Sequence, residues 1–283
     1  MAFDVICFSL YYNMSNFLQR TISGAIFIAI IIASILIHYY TFLAVFIIIT
    51  AWAVREFQQL TNQQPGVNVN TWVAAFGGAL LFLCSFFYAS DMFSFQWIYA
   101  AYIAYVAVVF IWELFRKAEN PIHNWAYFIL GQIYVAMPFS LLNFILFAAG
   151  YNSIILLSVF IIIWVNDTVA YLFGVTLGKH RLFERISPKK SWEGFIGGAL
   201  GTLATGYVFS LLIPDLSLLH WIILAEIIIV FGTFGDLMES LLKRTLNVKD
   251  SGDAIPGHGG LLDRFDSMLL AAPAVFVYLT ILF

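Results

Sequence analysis

Apolar residues run along this chain in long blocks with short polar breaks, and the length of the blocks is the first structural signal. A block near or above ~18 apolar residues can cross a ~30 Å hydrocarbon core as a helix. The blocks predict nine helices, at about 21–39, 41–54, 72–88, 95–112, 125–147, 153–172, 193–213, 218–240 and 264–283. The first two are nearly continuous. One helix from Ile22 to Val54 would be about 50 Å long, too long for the core. A break is therefore expected near His38-Tyr39-Tyr40-Thr41, whose aromatics suit a membrane interface. The expected fold is all-α: a polytopic integral membrane helical bundle with about nine transmembrane helices.

Composition supports this reading. Hydrophobic residues make up 62% of the chain and charged residues 10%, against about 25% charged in a soluble domain. The placement of charge says more than the net value of -3. With nine spans, all thirteen Lys and Arg residues fall on the side of the N-terminus and the even-numbered loops. The odd-numbered loops, near 40, 89–94, 148–152 and 214–217, hold none. By the positive-inside rule the basic side is cytoplasmic, and the C-terminus lies opposite, as in a multi-pass protein of the inner cell membrane. Residues 1–20 form an N-terminal cytoplasmic segment. Residues 21–283 form a single transmembrane domain, with no internal repeat and with its polar mass in 153–283. Cys84 lies in an apolar run and suits a small buried hydrophobe, and with Cys7 it makes no metal or redox motif. Nothing points to a nucleic-acid partner.

Basic loops can simply fix topology, and that suffices for Arg20, Arg55, Arg116 and Lys117. It leaves two polar segments, 173–192 and 235–264, unexplained. In the second, Asp236, Glu239, Ser240 and Lys243 share a helix face at i, i+3, i+4 and i+7. Asp263, Asp266 and Ser267 share a face at the start of the last helix. Between them, a Gly/Pro-rich loop carries His258. Carboxylates can hold a hard divalent cation through oxygen, and cation plus Lys/Arg can neutralise a polyphosphate. A solvated helix-loop-helix with surface ion pairs remains the plainer alternative.

Just before the first segment, at the end of the sixth predicted span, Asp167 follows Asn166 about 20 Å into the core. A charged residue at such depth should face a partner or a water-filled cavity, so either an interhelical anchor or an active-site acid fits. Ser187-Pro188-Lys189-Lys190-Ser191-Trp192-Glu193 then leads into a helix start, and two lysines beside a helix N-terminus suit a polyphosphate. Gly194/Gly198 and Gly197/Gly201 are small-xxx-small pairs suited to helix packing. Glu226, near mid-membrane, could be a packing acid or line a lipid cavity.

The run Ser240-x-Leu-Lys-Arg-x4-Lys-Asp-x-Gly-x2-Ile-Pro-x-His-Gly-Gly-Leu-x-Asp-Arg-Phe-Asp266 resembles the signature of the phosphatidate cytidylyltransferase (CDP-diacylglycerol synthase) family. Asn166-Asp167-Thr168 and the Ser187–Glu193 stretch resemble further family motifs, and Arg55-Glu56-Phe57 resembles a short family feature. The resemblance implies that a phosphatidate oxygen attacks the α-phosphorus of CTP, releasing pyrophosphate, near the cytoplasmic surface. It implies Mg²⁺ held by Asp236 and Asp263, with Asp266 a lesser candidate. Lys243, Arg244, Lys249 and Arg264 would hold phosphates beside Asp250, and His258 would contact phosphate or stabilise its loop rather than act as a base. Asn166, Asp167, Lys179, Ser187, Lys189, Lys190, Ser191 and Glu193 are the CTP-contact candidates, and a homodimer is implied. One departure stands out. Where the family commonly has Gly-Arg, this chain has Gly174-Val175, so Lys179 or Arg181 would have to replace that arginine.

Competing readings are a CTP enzyme acting on another lipid and a transporter with Asp167 and Glu226 on an ion path. Transporters tend to carry inverted repeats, and none is visible here. Residues 1–12 differ in character from the rest of the chain, and Met14 is the expected initiator. N-terminal sequencing of the mature chain should begin at or after Met14, and recovery of Phe3 or Asp4 would contradict this.

Overall fold

The computed structural model describes residues 2–93, 97–148, 150–252, 254 and 259–283, with side chains described at Leu18 and from Thr21 onward. The helices are α1 (Ala2–Ile37), α2 (Tyr39–Thr61), α3 (Thr71–Ala89) and α4 (Ile98–Phe115), then α5 (Pro121–Gly131) and α6 (Met137–Leu146). They continue with α7 (Ser153–Leu177), α8 (Trp192–Leu212), α9 (Leu218–Thr245) and α10 (Leu262–Leu282). A helical bundle of the polytopic membrane type results. Among the described residues, eight helical rods are long and apolar enough to cross a membrane, and the Thr21–Ile37 stretch of α1 is a shorter apolar helix. α1 runs on from Ala2 without a break at residue 20.

The break between the first two helices falls at His38, within the expected stretch. His38 is extended, its ring accepts from the Tyr40 N–H at 3.2 Å, and its N–H donates to Thr41 Oγ1 at 3.1 Å. This capping box satisfies donors that a helix start leaves orphaned. α5 and α6 form one rod, joined by a π-helical turn at Gln132–Ala136. Pro138 has no N–H to give the preceding turn, and a local widening of the helix accommodates that. Several helices exceed their expected ends. α2 reaches Thr61, α7 reaches Leu177 and α9 reaches Thr245, because hydropathy marks the apolar core and not the polar turns that continue beyond it.

A two-stranded antiparallel hairpin joins α7 to α8, with β1 (Arg181–Phe183) paired to β2 (Ser187–Ser191). The hydropathy pattern predicts no strand here. Ser187-Pro188 favours extended backbone, and the strands satisfy each other in a sheet too short to leave an alternating pattern.

The bundle has two unlike ends. At one, Asn68 N–H donates to Asn124 Oδ1 at 2.7 Å, Ser251, Leu261 and Leu262 bond to Glu56 of α2, and Lys190 meets Asp236. At the other, Tyr151 hydroxyl donates to the Ile35 carbonyl at 3.4 Å and Asn152 Nδ2 to Asp215 Oδ2 at 2.7 Å. Every Lys and Arg with a described side chain belongs to helix ends or connections at the first end.

Close helix approach builds that end. Gly197 of α8 lies against Phe173, Gly201 against Val169, and Gly198 against Ala170 and Asn166 of α7. The small residues are thus packing surfaces, as in small-xxx-small contacts generally. Gly235 of α9 sits where a Cβ would be 2.5 Å from the Asp266 carbonyl oxygen and 3.0 Å from that of Ser267. Gly235→Ala must push α10 away, at a cost of about 1–3 kcal/mol. A thermal melt in detergent should show a clear drop. Gly232→Ala, whose Cβ would meet nothing nearer than 3.7 Å, should leave the melt unchanged or raise it.

Candidate active site

A cavity of about 700 Å³ opens at the basic end between α7, α8, the hairpin, α9 and the start of α10. Ligand sites commonly span ~300–1,000 Å³. Its acidic wall is Asp167, Asp236, Asp263 and Asp266, and its basic wall is Arg181, Lys189 and Lys190. Tyr171, Val175, Leu182 and Phe195 supply an apolar side.

Each wall is set by local structure. Asp167 lies inside α7 and is exposed to the cavity, where Ser267 Oγ lies 3.3 Å from both of its oxygens. Asp236 follows the close Gly235 crossing, which brings α9 against Asp266 of α10. Asp167, Asp236 and Asp266 consequently lie within electrostatic reach of one another. Three acids sharing such a space repel unless cations answer them. Lys190 answers Asp236, Nζ to Oδ2 at 2.6 Å, and Ser240 Oγ donates to the other oxygen at 3.2 Å. Lys190 lies near the end of β2, and Ser191 beside it caps α8 by accepting from the Gly194 N–H at 3.1 Å.

A second cluster adjoins the first. Lys243 Nζ lies 2.6 Å from Glu239 Oε2 and 2.6 Å from Asp263 Oδ1. Glu239 is 1% exposed and Asp263 7%, so this ammonium bridges two carboxylates withdrawn from water. Asp263 Oδ2 is also engaged. It accepts from Ser251 N–H and Gly260 N–H, each at 2.9 Å, and lies 3.0 Å from Ser251 Oγ.

The structure thus brings Asn166, Asp167, Ser187, Lys189, Lys190, Ser191, Asp236, Asp263 and Asp266 onto one cavity, with Lys243 just behind. Arg244, Lys249, Asp250 and Arg264 do not line it. His258 lies outside the described residues. Glu193 serves the local chain: it accepts the Lys179 N–H at 3.1 Å and pairs with His180 Nδ1 at 2.6 Å. Of the two candidates to replace the arginine absent at Val175, Arg181 lines the cavity and Lys179 lies off it. Glu226 is exposed on α9, away from the cavity. Sequence reasoning missed the buried partnership of Glu239 with Lys243. Their i, i+4 spacing was visible, but burial was not.

The donor set suits a hard divalent cation in kind, being all carboxylate oxygen. Among the described residues, no three acidic, His or Cys side chains converge tightly enough to hold a metal as they stand. Asp236, Asp167 and Asp266 retain acceptor capacity toward the cavity, whereas both Asp263 oxygens are taken.

The model of the cytidylyltransferase family matches residues 18–282. A phosphatidate cytidylyltransferase of Staphylococcus haemolyticus is 47% identical over 126 residues, 44% of this chain and 48% of the relative. That of Staphylococcus saprophyticus is 44% identical over the same shares. That of Staphylococcus epidermidis is 37% identical over 187 residues, 62% of this chain and 67% of the relative. The chain therefore spans about half the length of the first of these relatives.

Removing one partner of a buried ion pair strands the other charges, typically at ~3–5 kcal/mol. Lys243→Met should destabilise the protein by about that much in chemical unfolding in detergent. Glu239→Gln in the Lys243→Met background should recover part of the loss. Lys189→Ala, at an exposed position, should stay within about 0.5 kcal/mol of the parent.

Proposed function

This chain belongs to the cytidylyltransferase family, and from that premise we propose that it transfers the CMP moiety of CTP to phosphatidate. A non-bridging oxygen of the lipid phosphate attacks the α-phosphorus. The bond from that phosphorus to the β-phosphate oxygen breaks, pyrophosphate leaves, and CDP-diacylglycerol forms. The observation that carries the reading is one cavity joining four aspartates, three basic groups and an apolar wall at the basic end of a membrane bundle.

Each side chain has a task in this chemistry. Lys189, Lys190 and Arg181 take the negative charge of the triphosphate. The attacking phosphate is already anionic, so no general base is required, and positioning and charge stabilisation carry most of the barrier reduction. Asp236 would hold the divalent cation, Mg²⁺, with Asp167 and Asp266 as neighbouring oxygen donors, and Asp263, the second motif aspartate, would join them only by giving up the Lys243 contact on Oδ1. Bound there, the ion supplies charge neutralisation to the polyphosphate. Lys243 keeps Asp263 and Glu239 together and holds the wall in place. Tyr171, Val175, Leu182 and Phe195 give the lipid's glycerol and upper acyl carbons a surface.

The basic end would face the cytoplasm by the positive-inside rule. CTP then arrives from water and phosphatidate from the bilayer. The membrane would be the inner cell membrane, with the C-terminus on the outer side, and the protein would act as a homodimer.

Purified protein with CTP, Mg²⁺ and phosphatidate should release pyrophosphate. Asp236→Asn and Asp263→Asn should each lower kcat by about 10²–10³-fold while the folded protein persists in detergent. Unchanged turnover in the double variant would defeat the metal assignment. Pyrophosphate release with another lipid phosphate but not with phosphatidate would move the substrate within the same reaction class. Absence of pyrophosphate release with every lipid phosphate tried would overturn the enzyme reading in favour of transport.

A further inference from the structure

We infer that Glu56 is a positioning residue that sets the place of Asp263 by capping the start of α10 from α2. What Asp263 does rests on the cytidylyl-transfer reading above, whereas how Glu56 holds it rests on geometry.

A helix start leaves several N–H groups without partners, and a Ser, Thr, Asp or Asn at the N-cap ordinarily answers one. At α10 the N-cap is Leu261, which makes no side-chain cap. The acceptor comes instead from 205 residues earlier in the chain. Glu56 Oε2 accepts the Leu261 N–H at 2.9 Å and Oε1 accepts the Leu262 N–H at 3.1 Å. Ser251 Oγ is also hydrogen-bonded to Glu56 Oε1. Glu56 is only 3% exposed, so water cannot substitute for these donors, and a buried carboxylate depends on them. A negative group also sits favourably at the positive end of the helix dipole.

The same loop edge serves Asp263. Ser251 N–H and Gly260 N–H bond Asp263 Oδ2, and the Ser251 hydroxyl lies between the two carboxylates, 3.0 Å from Asp263 Oδ2. Glu56 and Asp263 thus divide the donors of one short segment. Moving the first must move the second. The fit is tight on the Glu56 side. A Cβ at Gly260 would lie 2.0 Å from Glu56 Oε1 and 1.9 Å from Ser251 Oγ, and one at Gly252 would lie 3.0 Å from Glu56 Cδ. Only glycine lets the loop close this far on the carboxylate.

The arrangement ties the first half of the bundle to the site. α2 contributes nothing to the cavity wall, yet one of its buried acids orients the helix that carries Asp263 and Asp266. A partner that orients a ligand typically alters metal affinity or activity about 10–100-fold when lost.

The test compares Glu56→Gln, which keeps the shape and loses the charge, with Gly260→Ala, which pushes the carboxylate off the loop. Ser251→Ala removes only the shared hydroxyl and carries the test should either of these not fold. Hydrogen exchange in detergent should show the amides of Ser251, Gly260, Leu261 and Leu262 exchanging about tenfold faster, as expected for losing hydrogen bonds to a charged group. Exchange in α7 and α8 should stay unchanged. Mn²⁺ affinity, measured by electron paramagnetic resonance, should weaken about tenfold or more. Turnover should lose kcat by about 10–100-fold, with KM for CTP within roughly twofold of the parent.

Unchanged exchange in Glu56→Gln and Gly260→Ala would overturn the inference. Faster exchange with Mn²⁺ affinity and kcat both at the parent value would overturn it too, because the contact would then only staple the loop. If the parent protein turns over no CTP, the functional reading fails by itself. Exchange and Mn²⁺ affinity then decide the Glu56 inference, with weakened binding supporting it and unaltered binding contradicting it.

Discussion

The Lys243 ammonium, held at 2.6 Å by Glu239 on its own helix and by Asp263 on the next, is the contact on which the rest of the site depends. A carboxylate withdrawn from water is expensive unless a cation and hydrogen bonds answer it. Here one cation answers two, and in doing so fixes α9 against α10. The Gly235 crossing brings the helices close enough for this, and it also brings Asp236 beside Asp266. A cluster of like charges arises from the same geometry that neutralises its neighbours. Lys190 then neutralises Asp236 from the hairpin. The cavity therefore sets four aspartates against three basic side chains at the basic end of the bundle.

Much of the bundle was legible because hydrocarbon imposes a strict rule. Every buried backbone group must pair within its own helix, so apolar blocks translate directly into rods. The break at His38 was legible for the same reason, since a single helix there would overrun the bilayer. The clustering of all described basic side chains at one end came from counting loops. Less legible was everything decided at polar ends. The helices α2, α7 and α9 continue past their apolar blocks because intrahelical hydrogen bonds and caps do not register in hydropathy. The 181–191 hairpin is too short to show a period of two.

The candidate site was legible as motifs and not as contacts. Asp236, Asp263, Asp167 and Lys190 stood out by residue type and spacing. Their partners did not. Nothing in spacing says that Lys190 meets Asp236, or that Glu193 is turned to His180 and the Lys179 N–H instead of to the cavity. Glu56 shows the limit most clearly. Its place in the chain gives no hint that it caps a helix 205 residues later, because such a contact exists only once the bundle has closed.

The central claim is that the CMP moiety, and not a phosphoryl group, passes to the lipid. CTP labelled at the α-phosphorus or at the γ-phosphorus separates the two. With phosphatidate vesicles and Mg²⁺, α-label should appear in the organic extract as CDP-diacylglycerol, and γ-label should remain in water as pyrophosphate. Transfer of γ-label to lipid, or no α-label in the extract at any protein concentration, would contradict the account.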